Sequence, residues 1–176
     1  MLGVEPMLSP AAREQILALC DRYPEGKRKS AVMDALFIAQ GEQGYLSPET
    51  FREIAELLHL APVHVAAVAT FYTMYEKEPV GKHIIDICCN ISCLLRGSSE
   101  IIAHLEQRLG ITRGETTPDG LITVREAECI GACSQAPAGQ VNYRFFEHLT
   151  IEKVDEILDQ LQAGKALVSP EEVTHG

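Results

Sequence analysis

The sequence predicts an α+β fold, with a helical bundle over residues 1–78 followed by a small sheet with helices packed on it over residues 79–176. Three observations predict it. The first half carries apolar residues at helical spacing behind serine–proline caps. Pro79 and Gly81 then break that pattern. Beyond them, short apolar strands alternate with helices.

Each element has its own signature. Ser9-Pro10 is an N-cap with proline at the first helical position, where its missing N–H costs nothing, and Ile16, Leu19 and Cys20 follow at i, i+3, i+4. A second helix is expected from about Lys29 to Gln43, with Val32, Leu36 and Ala39 inward and Gly41 and Gly44 closing it. Ser47-Pro48 repeats the cap, and Phe51, Ile54, Ala55 and Leu58 form a complete apolar stripe. Pro62 opens a fourth helix in which Val65, Val68, Ala69 and Tyr72 share a face. Phe71, Tyr72 and Tyr75 are expected in the core or at the joint between the halves.

In the second half, His83–Cys88 reads as a buried strand. After a cysteine-bearing loop, Ser98 or Ser99 is expected to cap a helix that directs Ile102, Leu105 and Leu109 inward and ends at Gly110. Thr117-Pro118-Asp119-Gly120 fits a type I turn leading into a strand over 121–126. A second cysteine loop follows, then one strand from about Val141 to Phe146. Thr150 caps a last helix with Val154, Ile157, Leu158 and Leu161 on one face, and Gly164 ends it. The tail after Lys165 has no periodicity and is expected to be loop.

Composition limits the function. Of 176 residues, 46% are hydrophobic and 23% charged, a globular balance. Twenty-five acids against fifteen bases give a net charge of −10, which disfavours nucleic acid and anionic membranes as partners. No apolar run is long enough to cross a bilayer, so direct membrane insertion is not expected. The N-terminus MLGVEPMLSP lacks a basic segment followed by an apolar one, so a secretory signal is not expected either. Six cysteines in a reducing compartment point to metal binding rather than to disulfides.

Five of the six fall in two loops, Cys88, Cys89 and Cys93 in one and Cys129 and Cys133 in the other. Each loop follows a strand. If the two strands are neighbours, four sulfurs leave the same end of the sheet and can converge. Four thiolates suit a two-iron cluster or a structural zinc. Zinc knuckles commonly have two-residue gaps, whereas Cys88–Cys93 encloses four residues and Cys129–Cys133 three, which favours the bulkier iron–sulfur cluster. The spacing departs from that of plant-type ferredoxins, and the C-x-x-C of thioredoxin-like redox enzymes is absent. Zinc and thiol chemistry remain the alternatives at this level.

The segments CCNISCLLRGS (88–98), GETTPDG (114–120), ECIGACSQAP (128–137) and QVN (140–142) together resemble the thioredoxin-like [2Fe–2S] subunit of the NADH dehydrogenase module of respiratory complex I. GYLSPE (44–49) and VATFYTMY (68–75) match the helical half of the same family, so the resemblance runs from about Arg28 to Gly164. It implies a helical bundle followed by a thioredoxin-like [2Fe–2S] ferredoxin domain, with Cys88, Cys93, Cys129 and Cys133 as ligands. It further implies an electron-transfer subunit whose cluster exchanges single electrons with FMN near the protein surface. FMN and NADH would sit on a partner subunit, beside further iron–sulfur subunits, in a cytoplasmic assembly peripheral to the inner membrane.

No nucleotide fingerprint of the G-x-G-x-x-G type and no P-loop occurs in the chain, so NADH oxidation by the isolated chain is not expected. Two other readings compete: the equivalent subunit of an NAD-linked hydrogenase or formate dehydrogenase, electron-bifurcating or not, and a zinc-stabilised assembly module. Cys89 departs from the family pattern. A register using Cys89 with Cys93 would make both loops C-x-x-x-C, but a spectator role is the simpler reading. Cys20 reads as a buried apolar residue, the scattered histidines as structural or solvated, and Arg96 as solvent-facing, with offsetting of cluster charge as its other role. Gly97 and Gly131 are expected to let backbone amides close in on sulfur.

Overall fold

The computed structural model describes residues 7–165; the expected loop after Lys165, with His175, lies outside them. The chain divides into two compact units, Met1–Pro79 and Val80–Gly176.

The first unit holds four helices, α1 (Pro10–Cys20), α2 (Val32–Gln43), α3 (Pro48–Leu58) and α4 (Pro62–Phe71), with a 3-10 turn over Arg28–Ala31 leading into α2. The caps form as the sequence predicts. The Ser9 side chain accepts from the Ala12 amide and Ser47 from Thr50, each cap contributing on the order of 1 kcal/mol. Gly44 closes α2 in the left-handed conformation, whereas Gly41 lies inside the helix. Ile16, Cys20, Leu36, Ile54, Leu58, Val65 and Ala69 share one core, in which the Cys20 thiol donates to the Ile16 carbonyl. Buried Glu53 accepts from the amides of Met7 and Leu8 and from Arg13, fastening the start of the described chain to α3.

One expectation fails at the end of α4. Tyr72 leaves the helix with an extended backbone as its C-cap, and Phe71 is 77% exposed; only Tyr75 of the three aromatics is buried, its hydroxyl donating to the Met33 carbonyl.

The second unit has the order β1 (His83–Cys88), α5 (Ile91–Leu95), α6 (Ser98–Leu109), β2 (Ile122–Ala127), β3 (Gly139–Val141), β4 (Arg144–Phe146) and α7 (Ile151–Gln162). The four strands form one mixed sheet in the order β2-β1-β3-β4. Strand β1 runs parallel to β2, pairing Cys88 with Ala127, and antiparallel to β3. Ile85, Ile87, Ile122, Val124 and Val141 point to one face. There they meet Ile102 and Leu105 of α6 and Val154, Leu158 and Leu161 of α7. Asp86 projects to the opposite face and accepts from Arg125 Nε (2.8 Å) and Gln140 Nε2 (3.0 Å), a polar row across three strands.

Three features differ from the sequence reading. The expected strand over Val141–Phe146 is a hairpin, because Asn142 and Tyr143 both take left-handed φ (47° and 69°) and turn the chain in two residues. The Asn142 side chain holds that turn to β1 by accepting from the Ile84 amide. Helix α6 is capped by Gly97, not by a serine: the Gly97 amide still bonds back to Leu94 of α5, and Ser98 is already inside α6, fully buried. The first cysteine loop contains a helix of its own, α5, described below.

Two glycines test the packing in opposite directions. A Cβ at Gly81 would lie 2.8–2.9 Å from the backbone of Ile122 and Thr123, whereas one at Gly41 meets open space inside α2. Gly81→Ala is therefore expected to destabilise the chain by about 1–3 kcal/mol. Gly41→Ala should stabilise it by about 0.5–1 kcal/mol. Denaturant unfolding of the full chain measures both, and equal effects of the same sign would contradict the packing described.

Candidate metal centre

Both cysteine loops leave the same end of the sheet. Cys88 ends β1, Ala127 ends β2, and because these strands are parallel and adjacent, the loops that follow emerge side by side. The Cys89 amide continues the ladder by donating to the Ala127 carbonyl at 2.9 Å.

The first loop is ordered by Asn90. Its side chain accepts from the Ile91 amide at 2.7 Å and starts α5, which turns Cys93 inward while Ile91, Leu94 and Leu95 face out. Cys88 and Cys93 are consequently both buried (4% and 2% exposed) and pack with Ala136 and Ala138. Their thiols are within hydrogen-bond reach of each other. In the second loop Cys129 and Cys133 are exposed, Cys133 at the start of a 3-10 turn over Cys133–Gln135. The charge of Cys133 is felt at Cys93.

Backbone amides converge on the buried sulfurs. Burial opposes ionisation of Cys88, but the Asn90 and Ile130 amides and the Cys93 thiol donate to its sulfur and hold it below the ordinary cysteine value. Burial pushes Cys93 up, offset in part by the Ala138 amide, with the neighbouring Cys88 and Cys133 adding to the rise. Proximity in sequence did not single out these donors; only the Asn90 cap before ISCLL was a readable signal for one of them.

Cys89 behaves differently. Its thiol donates to the Ala127 carbonyl (3.3 Å), and burial, with Glu128 and Glu126 nearby, pushes its pKa up. The structure thus brings Cys88 and Cys93 together in the first loop and engages Cys89 elsewhere. Arg96, at the end of α5, is exposed. His104 is bound to Asp155 across α6 and α7 at 2.6 Å, and His59 caps α3.

The expected role of Gly131 is corrected. A Cβ there would touch no protein atom, and what the chain itself requires of Gly131 is its left-handed φ of +82°; the amide that reaches Cys88 belongs to the residue before it. At Gly97 likewise the requirement is a left-handed φ of 95°.

Among the described residues, no group of three or more His, Cys, Asp or Glu side chains is gathered tightly enough to hold a single metal ion. What the two loops offer is four sulfur donors in segments that leave adjacent strand ends, two of them sheltered and met by N–H groups. Sulfur-only donors and amides aimed at sulfur fit an iron–sulfur cluster, whose negative charge those amides offset.

Comparison with known proteins agrees. One NADH-quinone oxidoreductase subunit of Rhizobium meliloti (strain 1021) is 43% identical over 159 residues, 90% of this chain and 94% of that one. NADH-quinone oxidoreductase subunit 2 of Thermus thermophilus is 41% identical over 147 residues, 83% of this chain and 81% of its own. An NADH-quinone oxidoreductase subunit of Mycobacterium tuberculosis is 40% identical over 142 residues, but the chain spans only 56% of its length. Among solved structures, an NAD+-reducing [NiFe]-hydrogenase in the H2-reduced state superimposes with a TM-score of 0.67 over 77% of this chain and 22% of that one. At 24% identity that likeness shows the fold alone. Residues 16–162 match the thioredoxin-like [2Fe–2S] ferredoxin family, and the chain belongs to it.

Proposed function

We propose that this chain is the [2Fe–2S] electron-transfer subunit of an NADH:quinone oxidoreductase, holding its cluster with Cys88, Cys93, Cys129 and Cys133. The observation that carries the reading is the delivery of both cysteine loops by the paired ends of β1 and β2. The choice of assembly is supported by relatives that are subunits of NADH-quinone oxidoreductases, at 43% and 41% identity. The hydrogenase alternative draws only on likeness of fold.

When bound, such a cluster takes up or gives one electron at a time. The residues of this chain prepare the place for that exchange. Helix α5 and β1 keep two thiols out of water, and the amides of Asn90, Ile130 and Ala138 stabilise negative charge on their sulfurs. The exposed second loop keeps Cys129 and Cys133 close to solvent, where an external electron donor can approach. Fixed strand ends limit rearrangement between charge states.

The hydride chemistry of NADH needs a flavin and a nucleotide pocket, and both belong in this reading to a partner subunit that carries FMN and binds NADH. Further iron–sulfur subunits complete the assembly. No helix among the described residues is long and apolar enough to cross a membrane. In this reading the chain lies on the cytoplasmic side of the inner membrane, held there by its partners.

Anaerobic purification tests this directly. Two irons and two sulfides per chain, and an EPR signal after dithionite, are expected; a colourless chain with one zinc would remove the electron-transfer function. NADH alone should not bleach the cluster of the isolated chain. Serine at Cys88, Cys93, Cys129 or Cys133 is expected to abolish or strongly shift the EPR signal, and Cys89→Ser to leave it unchanged. Retention of the native signal by any of the first four would break the ligand set.

The loop geometry adds an independent check. Gly131→Val forces a β-branched residue into a left-handed backbone and should sharply lower iron content, whereas Gly131→Asn should retain most of it. Equal iron content in the two variants would show that the backbone conformation at this position is immaterial.

A further inference from the structure

Ser98 is out of keeping with its surroundings. It opens α6, it is fully buried, and among the described residues its hydroxyl has no hydrogen-bond partner. Buried hydroxyls are ordinarily paired, because giving up water without a replacement bond is costly. A serine inside a helix can turn its hydroxyl to the carbonyl four residues back in the same helix. At the first position of α6 that residue is Leu94, which belongs to α5 and whose carbonyl already accepts from the Gly97 amide. Alanine would fill the same place without the cost of an unpaired oxygen.

The topology shows which end of the sheet the hydroxyl serves. Ser98 stands three, four and seven residues before Ile101, Ile102 and Leu105, so it continues the stripe of α6 that packs on the sheet. Helix α6 connects β1 to the parallel strand β2 and therefore begins at the end of the sheet where Cys88 closes β1. Helical side chains lean toward the N-terminus of their helix, which inclines Ser98 to the end where both cysteine loops leave the sheet. The turn before it is tied to the first loop, since the Arg96 amide donates to the Cys93 carbonyl. The N-cap Gly97 brings no side chain, and Ser99 and Glu100 are exposed, so Ser98 alone offers a sheltered side-chain donor at the start of α6.

We propose that the Ser98 hydroxyl donates a hydrogen bond to a sulfur of the bound [2Fe–2S] centre and thereby favours its reduced state. The proposal rests on the reading of function above and adds a side-chain donor to the backbone amides that reach Cys88 and Cys93. Reduction adds one negative charge to the centre, and a donor directed at sulfur stabilises the added charge. Ser98 keeps its proton throughout; it neither passes an electron nor gives up the hydrogen.

The test is an EPR-monitored redox titration of the full chain, purified anaerobically with its cluster. Ser98→Ala should keep its iron and lower the midpoint potential, so that at a fixed potential the ratio of reduced to oxidised cluster falls about tenfold, or ~59 mV for a one-electron couple. Ser98→Gly, which also lacks the hydroxyl, should shift in the same direction, and Ser99→Ala at the exposed neighbour should not shift. In D2O, pulsed EPR of the reduced wild-type chain should detect one more exchangeable deuteron coupled to the cluster than in Ser98→Ala. Either hydroxyl-free variant that retains its iron decides the matter. A wild-type potential there, as a serine holding only a buried water would give, overturns the proposal, as does an equal shift in Ser99→Ala or an unchanged deuteron count. Loss of the cluster from both variants would mark Ser98 as a packing residue and overturn it too. A wild-type chain that holds zinc, or gives no cluster signal, would instead overturn the reading of function on which the proposal rests.

Discussion

The parallel pairing of β1 with β2 is the constraint from which the site follows. Two cysteine-bearing loops, 35 residues apart in sequence between Cys93 and Cys129, leave the sheet side by side only because Cys88 and Ala127 end adjacent strands at the same level. A slip of one residue in that ladder would turn every side chain of β2 to the other face. Two interactions resist it. The apolar contacts of Ile85, Ile87, Ile122 and Val124 hold one face, and on the other Asp86 is gripped by Arg125 and Gln140 from the strands on either side. A buried carboxylate is costly without partners, so the polar row is satisfied in one register only.

The two loops built on this frame differ in kind. The first is ordered by local chemistry, with an asparagine cap, a short helix and two thiols against Ala136 and Ala138. The second depends on a left-handed glycine and a single 3-10 turn, and its thiols are exposed. The centre thus has a sheltered, amide-rich side and a wet side. In the proposed reading, a cluster held by both loops would have one sheltered and one wet side, and solvent exposure is among the main determinants of an iron–sulfur potential.

Much of the architecture was legible because it depends on neighbours in sequence. The caps at Ser9, Ser47 and Thr150, the strand His83–Cys88 and the stripes of α3 and α7 are local patterns, and the structure contains them. The illegible parts have non-local causes. The hairpin at Asn142-Tyr143 is held by Asn142 reaching the Ile84 amide, 58 residues earlier, and Tyr143 carries no turn signal of its own. Helix α5 has only five residues, too few for periodicity to register. Ser98 looks like a cap until the preceding helix is known to end at Leu95 and the Gly97 amide to bond back to Leu94. At the candidate centre, the cysteine spacing pointed to the chemistry. The amide donors could not be read, because every residue but proline has an amide and only the fold decides where it points.

The short strands of the hairpin have a further effect, on what the sheet refuses to do. Strand β4, at one edge, offers three residues before the chain turns away. The other edge is occupied. Glu115 accepts from the Val124 amide, the Gly114 amide donates to Val124, and the Thr117 amide donates to Ile122, so the outer rim of β2 is already bonded to its own preceding loop. An open rim is a template on which a second chain can add a strand and begin a fibril. Here one rim is spent and the other is too brief to propagate. Self-association through backbone pairing is therefore disfavoured at both edges of the sheet, while the loops at the strand ends display their sulfur.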